Sequence, residues 1–387
     1  MSEPAWVEHA IWWHVYPLGA AGAVPGPPQH AEPHGLDRLE PWLDHVIGLG
    51  LSGVALGPIF RSANHGYDTL DHRVVDERLG GDAAFDRFVA AAKDRGLRIA
   101  LDGVFNHVAA EHEQQDRLLR DERGEPVPFE GHGALLTLDH ARDDVRADTI
   151  DVMRSWLDRG ADAWRLDAAY ATPAEFWAAV LPEVRRTHPD AWIFGEVIHG
   201  DYAAIVEAST MDSVTQYELW KAIWSSLADG NPHELAWTLE RHAALAERFA
   251  PVTFLGNHDV TRIASQLRDP GLVALAIVAH LTLPGTPMVY AGDELGLTGI
   301  KEERFGGDDA IRPELPPSPA GIRGDDGILG TLHHLVSVRR QHPWLHRAAL
   351  EVLETTHERI EYRVSSGSAA LRVVLDLRRR SWEVLPQ

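Results

Sequence analysis

The sequence predicts an α/β protein whose main body is a (β/α)8 TIM barrel, with a small inserted subdomain after strand 3 and a short C-terminal antiparallel β-domain. Two observations lead there. Short apolar, β-rich runs alternate eight times with longer helix-like runs, the pattern of parallel strands joined by helices. The chain has 387 residues, which accommodates one barrel of about 250 residues or more and a small companion. An open doubly wound sheet is the structural alternative at this level.

The strand candidates are Ile11–Leu18, Val54–Phe60, Arg98–Val104, Ala163–Ala168, Trp192–Val197, Ser213–Tyr217, Val252–Leu255 and Met288–Tyr290. Helical stretches between them include Leu36–Gly48, Asp82–Arg95, Asp144–Arg159, Pro173–Arg186, His233–Arg248 and Gly271–Leu281. Gly50 and Gly96 follow two of these where a left-handed residue ends a helix, and Pro173 sits where a first helical turn starts. From His107 to Leu138 the chain is polar, with EHEQQDRLLRDERGEP and no clear barrel strand. An excursion of that size is a functional loop or a subdomain. A second long loop, Gly292 to Gly327, carries KEERFGGDDAIRPELPPSP, whose Pro and Gly argue against regular structure. After a helix near Leu332–Arg340, alternating residues around a Ser-Gly-Ser turn predict antiparallel strands. The expected division is barrel over 1–106, insert over 107–138, barrel again over 139–345, and β-domain over 346–387. There is no internal repeat, and the GAVPGPP loop at 22–28 is the one low-complexity tract.

Composition narrows the function classes. Hydrophobic residues are 44% and charged residues 24%, enough apolar content for a large core and too much for a disordered chain. The net charge of −22 repels phosphate backbones, so nucleic acid is not an expected partner. With no cysteine, no disulfide, thiolate metal site or thiol nucleophile exists. The start, MSEPAWVEHAIWWHVYPLG, has Glu3 and Glu8 in place of a basic segment and His9 and His14 within the apolar run. It does not read as an export signal, and no apolar stretch reaches membrane-spanning length. A cytoplasmic location is expected; the oligomeric state stays open.

Polar residues collect where the strands run out. The third run ends LDGVFNH, with Asp102, Asn106 and His107; the fourth ends with Arg165 and Asp167, two apart and so on one side of the strand. Glu196 ends the fifth, and His258 and Asp259 end the seventh. A (β/α)8 barrel builds its active site at this rim. Burying so many charges is costly unless they are paired or used. Three chemistries suit such a ring: glycoside hydrolysis by two carboxylates, a metal hydrolase on His107, His258 and the aspartates, and sugar binding without turnover. No HxH or HExxH pair supports the metal. Binding alone does not need several carboxylates around one point.

Seven segments add a resemblance. GVALGPIF (53–60), GYDTLDHRVVDERLGG (66–81), DGVFNH (102–107), DAWRLDAAY (162–170), FGEV (194–197), FLGNHD (254–259) and GTPMVYAGDELG (285–296) together resemble the α-amylase superfamily, glycoside hydrolase family 13, in the family's order. The resemblance implies that Asp167 is the nucleophile, Glu196 the general acid/base and Asp259 the third carboxylate, which grips sugar hydroxyls. It implies that Arg165 orients the nucleophile, that His107 and His258 bond sugar hydroxyls, that Tyr67 is an aromatic platform and that Asp102 supports the rim. Asp102 reads equally as a buried hydrogen-bond acceptor, and Asn106 as a cap or turn residue. Asp309 and Arg312 resemble, more loosely, a segment that reaches the sugar from the last long loop.

The departures from the family pattern bear on metal and substrate. The stretch before strand four reads Thr137-Leu138-Asp139, and Ala169 and Tyr170 stand where calcium-binding members supply a ligand. No cofactor and no metal are therefore expected. The implied function is retaining hydrolysis of α-glucosidic bonds in small α-glucosides or malto-oligosaccharides by double displacement. A transglycosidase or isomerase of the same family is the alternative within enzymes, and a non-catalytic sugar-binding protein the alternative outside them.

Overall fold

The computed structural model describes residues 3–23, 34–304 and 306–387; most of the GAVPGPP tract lies outside them. The eight runs form β1 (Trp12–Val15), β2 (Gly53–Leu56), β3 (Arg98–Gly103), β4 (Ala163–Leu166), β5 (Trp192–Gly195), β6 (Ser213–Val214), β7 (Val252–Phe254) and β8 (Thr286–Tyr290). All neighbours are parallel and follow chain order around the sheet. Between β6 and β7 the ring closes through one bridge, Thr215 to Val252, where the Gln216 N–H donates to the Val252 carbonyl at 2.9 Å. This is the barrel, not the open sheet.

Strand alternation sorts the side chains into two layers. Trp13, Val54, Ile99, Leu101, Trp164 and Ile193 join the core beneath the helices. Trp12, Ala55, Ala100, Ala163, Trp192, Phe194, Val252, Phe254 and Met288 fill the barrel itself. Two large rings occupy the floor: Trp12 and Trp192 stack at 5.8 Å with planes 7° apart. Small residues on β2, β3 and β4 make room for them. The same alternation, continued two residues further, turns Asp102, Arg165 and Glu196 inward. The floor is apolar and the mouth is charged because the strand sequences change character along their length.

The helices Glu40–Gly48, Gly81–Asp94, Asp143–Asp158, Ala174–Thr187, His233–Ala246 and Pro270–Thr282 agree with the expected stretches within one or two residues, except that Leu36–Leu39 forms a 3-10 turn. Of the further helices that escape the sequence reading, the two longest are Tyr202–Ser209 and Tyr217–Asp229. The second corrects a strand candidate. The sixth run, read as Ser213–Tyr217, holds a strand of only two residues. Gln216 leaves the ladder because its side-chain oxygen accepts from Glu218 N and Leu219 N, capping the helix that starts at Tyr217.

The polar excursion contains a three-stranded sheet, His107–Ala109, Pro128–Phe129 and His132–Thr137. A hairpin, Phe60–Ser62 with Thr69–Val75, follows β2. The loop after β8 is pinned by buried Arg262, which donates to Asp293 at 2.7 Å and to the Ala291 and Ile311 carbonyls. The C-terminal strands Ala349–Thr355, Arg359–Ser366, Ala369–Asp376 and Ser381–Pro386 make one antiparallel sheet. It is tied to the barrel helix Pro270–Thr282 by a buried Tyr362–Thr282 hydroxyl pair at 2.6 Å. No helix of the described residues is long and apolar enough to cross a membrane.

Gly53 tests the floor packing, and exposed Gly330 serves as its open counterpart. A Cβ on Gly53 would lie 2.5 Å from the Trp12 ring and 2.9 Å from the Arg98 carbonyl, both immovable. Gly53→Ala is expected to cost about 1–3 kcal/mol by overpacking. Gly330, inside the helix Asp326–Gln341, has nothing within 4 Å of such a Cβ, so Gly330→Ala is expected to stabilise by about 0.5–1 kcal/mol. Denaturant unfolding of both variants checks the opposite signs.

Candidate active site

Parallel register brings the carboxylates together. Asp102 of β3 pairs with Arg165 of β4, and Gly195 pairs with Leu166. One residue on, Glu196 therefore stands opposite Asp167, across a strand spacing of about 4.8 Å. Arg165 lies among all three acids. Its Nη1 donates to both Asp102 oxygens, at 2.7 and 2.6 Å, and to Asp167 Oδ1 at 3.1 Å; its Nη2 lies 2.7 Å from Glu196 Oε1. Ala168, directly after Asp167, takes a left-handed φ of 45° and donates its N–H to Glu196 Oε2 at 3.1 Å. A non-glycine residue at such a φ costs of order 1–3 kcal/mol and concentrates at functional sites. Here it turns a backbone donor toward the second carboxylate.

The opposite wall comes from β1, β2 and β7. His258 is sandwiched between Tyr67, at 5.1 Å and 8°, and Tyr16, at 5.8 Å and 13°. Its Nε2 lies 2.9 Å from Asp259 Oδ2 and also meets the Tyr67 hydroxyl, which donates to Asp102 at 3.0 Å. Arg312, from the last long loop, reaches Asp259 at 3.0 Å and the His258 carbonyl at 2.8 Å. It pairs with Asp308 rather than with Asp309. His107 is the residue set back from this group. Its Nε2 meets the Tyr67 carbonyl at 3.0 Å, its Nδ1 meets the Asn106 amide at 3.2 Å, and its ring stacks on Phe129 of the insert at 4.5 Å. Asn106 also accepts from Thr172, so it joins strand ends rather than capping a turn.

The charges are unequal on the two sides. Around Arg165 one cation faces three buried carboxylates. Burial pushes Asp167 well above the usual carboxylate range; Arg165 opposes this, and Glu196, Asp102 and Asp259 add to it. Burial also raises Asp102, again against Arg165. Asp259 goes the other way: burial would raise it, but His258 and Arg312, with Arg165 behind them, hold it well below the usual range. Burial thus moves Asp167 and Asp102 toward their neutral forms, while Asp259 stays ionised. A proton donor, an anion and a fixed third carboxylate around one point are the parts of acid-assisted displacement at an acetal carbon. Among the described residues no group of three or more His, Asp or Glu side chains could hold a metal ion.

Two contacts at this site were not anticipated from sequence. The Tyr217 hydroxyl donates to Glu196 Oε1 at 3.1 Å and accepts from the Asn257 amide at 2.9 Å. Asn257 lay inside the quoted FLGNHD segment. Tyr217 had no local signature, because its place depends on where the sixth strand stops.

Comparison with known proteins agrees with this architecture. Residues 36–126 and 130–326 match the family described as the catalytic domain of alpha amylase. The chain is 28% identical to neopullulanase 2 of Thermoactinomyces vulgaris, across 78% of this chain and 59% of that protein. It is 26% identical to a cyclomaltodextrinase of Geobacillus thermopakistaniensis, across 98% and 71%. The chain thus spans about six-tenths of the length of the first of these relatives. In structure it resembles the cyclic α-maltosyl-(1→6)-maltose hydrolase of Arthrobacter globiformis, with a TM-score of 0.84 and 25% identity over 97% of this chain and 92% of that one.

The raised Asp167 makes a stability prediction. A carboxyl whose folded pKa exceeds its unfolded value binds more protons when folded, so its contribution to stability falls as pH rises through that interval. Asp167→Asn is expected to melt about one degree higher than the parent at pH 7, with a smaller gain at pH 4.5, a stabilisation of about 1 kcal/mol. Thermal melts at both pH values check it. No gain at pH 7 would mean that the bond to Arg165 outweighs burial.

Proposed function

The chain belongs to the α-amylase family, and on that premise we propose that it is a retaining glycosidase that cleaves α-glucosidic bonds of small malto-oligosaccharides or other small α-glucosides by double displacement. The observation that carries this reading is the Asp167–Arg165–Glu196 cluster at adjacent strand ends. Retaining enzymes hold their two carboxyl groups about 5–5.5 Å apart, inverting ones about 6.5–9.5 Å. Paired positions on neighbouring strands, bridged by one guanidinium, suit the shorter spacing.

In this mechanism Asp167 attacks the anomeric carbon while Glu196 gives its proton to the glycosidic oxygen, and the leaving sugar departs. Glu196, now a carboxylate, takes a proton from water, whose oxygen attacks the glycosyl–Asp167 ester and frees the sugar. Arg165 keeps Asp167 oriented. Asp259, ionised between His258 and Arg312, accepts hydrogen bonds from sugar hydroxyls and favours the cationic character of the ring at the transition state. Asp102 and Tyr67 brace Arg165 and His258, and His107 supports the sugar side through Tyr67. Small substrates are favoured by the compact insert and by relatives named for cyclic and short maltodextrins.

Asp167→Asn is expected to lower kcat by at least about a thousandfold with a modest change in KM, and an NMR time course should show the α-anomer first. Near-normal turnover of a folded variant, or a β-configured first product, would sink the assignment. Activity and melting temperature are expected to survive exhaustive chelation; a drop of many degrees restored by micromolar calcium would overturn that expectation.

A further inference from the structure

We propose that Tyr217 and Asn257 are a positioning pair that fixes the transferable proton of Glu196 on Oε2. The proposal rests on the reading of Glu196 as the acid. The direction of each hydrogen bond in the chain can be assigned. The Asp259 N–H lies 2.8 Å from the Asn257 side chain, and a backbone N–H can bond only oxygen, so Oδ1 faces Asp259 and Nδ2 faces Tyr217. Nδ2 has only hydrogens to offer. The Tyr217 oxygen therefore accepts from it at 2.9 Å, and its single proton is directed to Glu196 Oε1 at 3.1 Å.

The Arg165 guanidinium also lies against Oε1, its Nη2 at 2.7 Å as an ion pair. A cation and a hydroxyl proton both face Oε1, which disfavours a proton there. Oε2 receives only the Ala168 N–H and keeps one site for a proton. Glu196 thus carries its proton on the oxygen beside the Asp167–Ala168 turn. Without the tyrosine hydroxyl, Oε1 regains a free lone pair, and the proton divides between a productive and an unproductive oxygen. Burial favours this fixed polarity: Tyr217 is 9% and Asn257 8% exposed, so water competes little for these atoms. The chain also joins Glu196 to the Asp259 backbone, so the acid and the third carboxylate share one rigid link between β5 and β7.

The test compares leaving groups. Tyr217→Phe keeps the ring, whose edge packs on Phe254 at 4.9 Å. On maltose, whose leaving oxygen needs the proton, kcat is expected to fall about tenfold, the upper end of what one hydrogen bond between uncharged groups is worth. On 4-nitrophenyl α-glucoside, whose leaving group needs little protonation, the fall is expected to stay within about threefold, with KM steady. Asn257→Leu should show the same selectivity, and its selective part should vanish in the Tyr217→Phe background, because Asn257 acts on Glu196 through Tyr217. Equal losses on both substrates, or selective losses that multiply in the double variant, would overturn the proposal. A parent protein that cleaves neither glucoside would instead refute the glycosidase reading, which separates the two failures.

Discussion

One guanidinium lets this barrel keep a charged mouth above an apolar floor. Arg165 touches Asp102, Asp167 and Glu196 with two nitrogens. Remove that cation and three carboxylates would face one another in a space closed to water, at a cost of several kcal/mol each. The arginine does not neutralise them. With burial, the remaining excess of negative charge pushes Asp167 and Asp102 above the usual carboxylate range. Asp259 escapes that excess because it has its own partners, the Arg312 guanidinium and the His258 ring. The division of labour among the carboxylates is a division of counter-ions.

The cluster depends in turn on strand register. Asp102, Asp167 and Glu196 come from three different runs, and only the pairing of β3, β4 and β5 makes them neighbours. The floor residues enforce this pairing. Trp12 and Trp192 fit because Gly53, Ala55, Ala100 and Ala163 are small, and a one-residue slip would bring large residues inward on every strand. Packing energy at the floor is thereby converted into geometry at the mouth.

Much of this was legible in the sequence. Each barrel strand announced itself as an apolar run, and the change from apolar to charged at each run's end marked the rim. Asp167, Glu196, Asp259, Arg165 and His258 could be placed together before any coordinates, because strand ends of a barrel converge. What escaped was what depends on the boundaries of elements. Tyr217 looked like the last residue of a strand, whereas Gln216 caps a helix there and turns the tyrosine toward Glu196. The insert was legible as a small subdomain but not as a sheet, because its strands are two to six residues long, too short for alternation to register. His107 matched a motif, yet its neighbours Phe129 and Tyr67 come from segments no motif connects. Arg312 was singled out with Asp309, whereas its guanidinium pairs with Asp308 and Asp259; two adjacent aspartates differ only in the turn they occupy.

The single bridge between β6 and β7 has a structural consequence of its own. Elsewhere in the ring, adjacent strands are held by two to four paired residues; here Thr215 and Val252 make the only rung. A ladder of one rung sets spacing but hardly sets slope. The segments beyond it can lengthen or shift without dislodging a neighbouring register. Ser213 also donates across the seam to the Ala250 carbonyl at 2.6 Å; the segments beyond carry Tyr217 on one side and Asn257 on the other, so the hydrogen bond between them acts as a further fastener, placed above the seam. The circumference of the barrel is thus completed partly by backbone and partly by the side chains nearest the chemistry. Change that seam and the cleft changes width on the acid's side while the floor stays as it is.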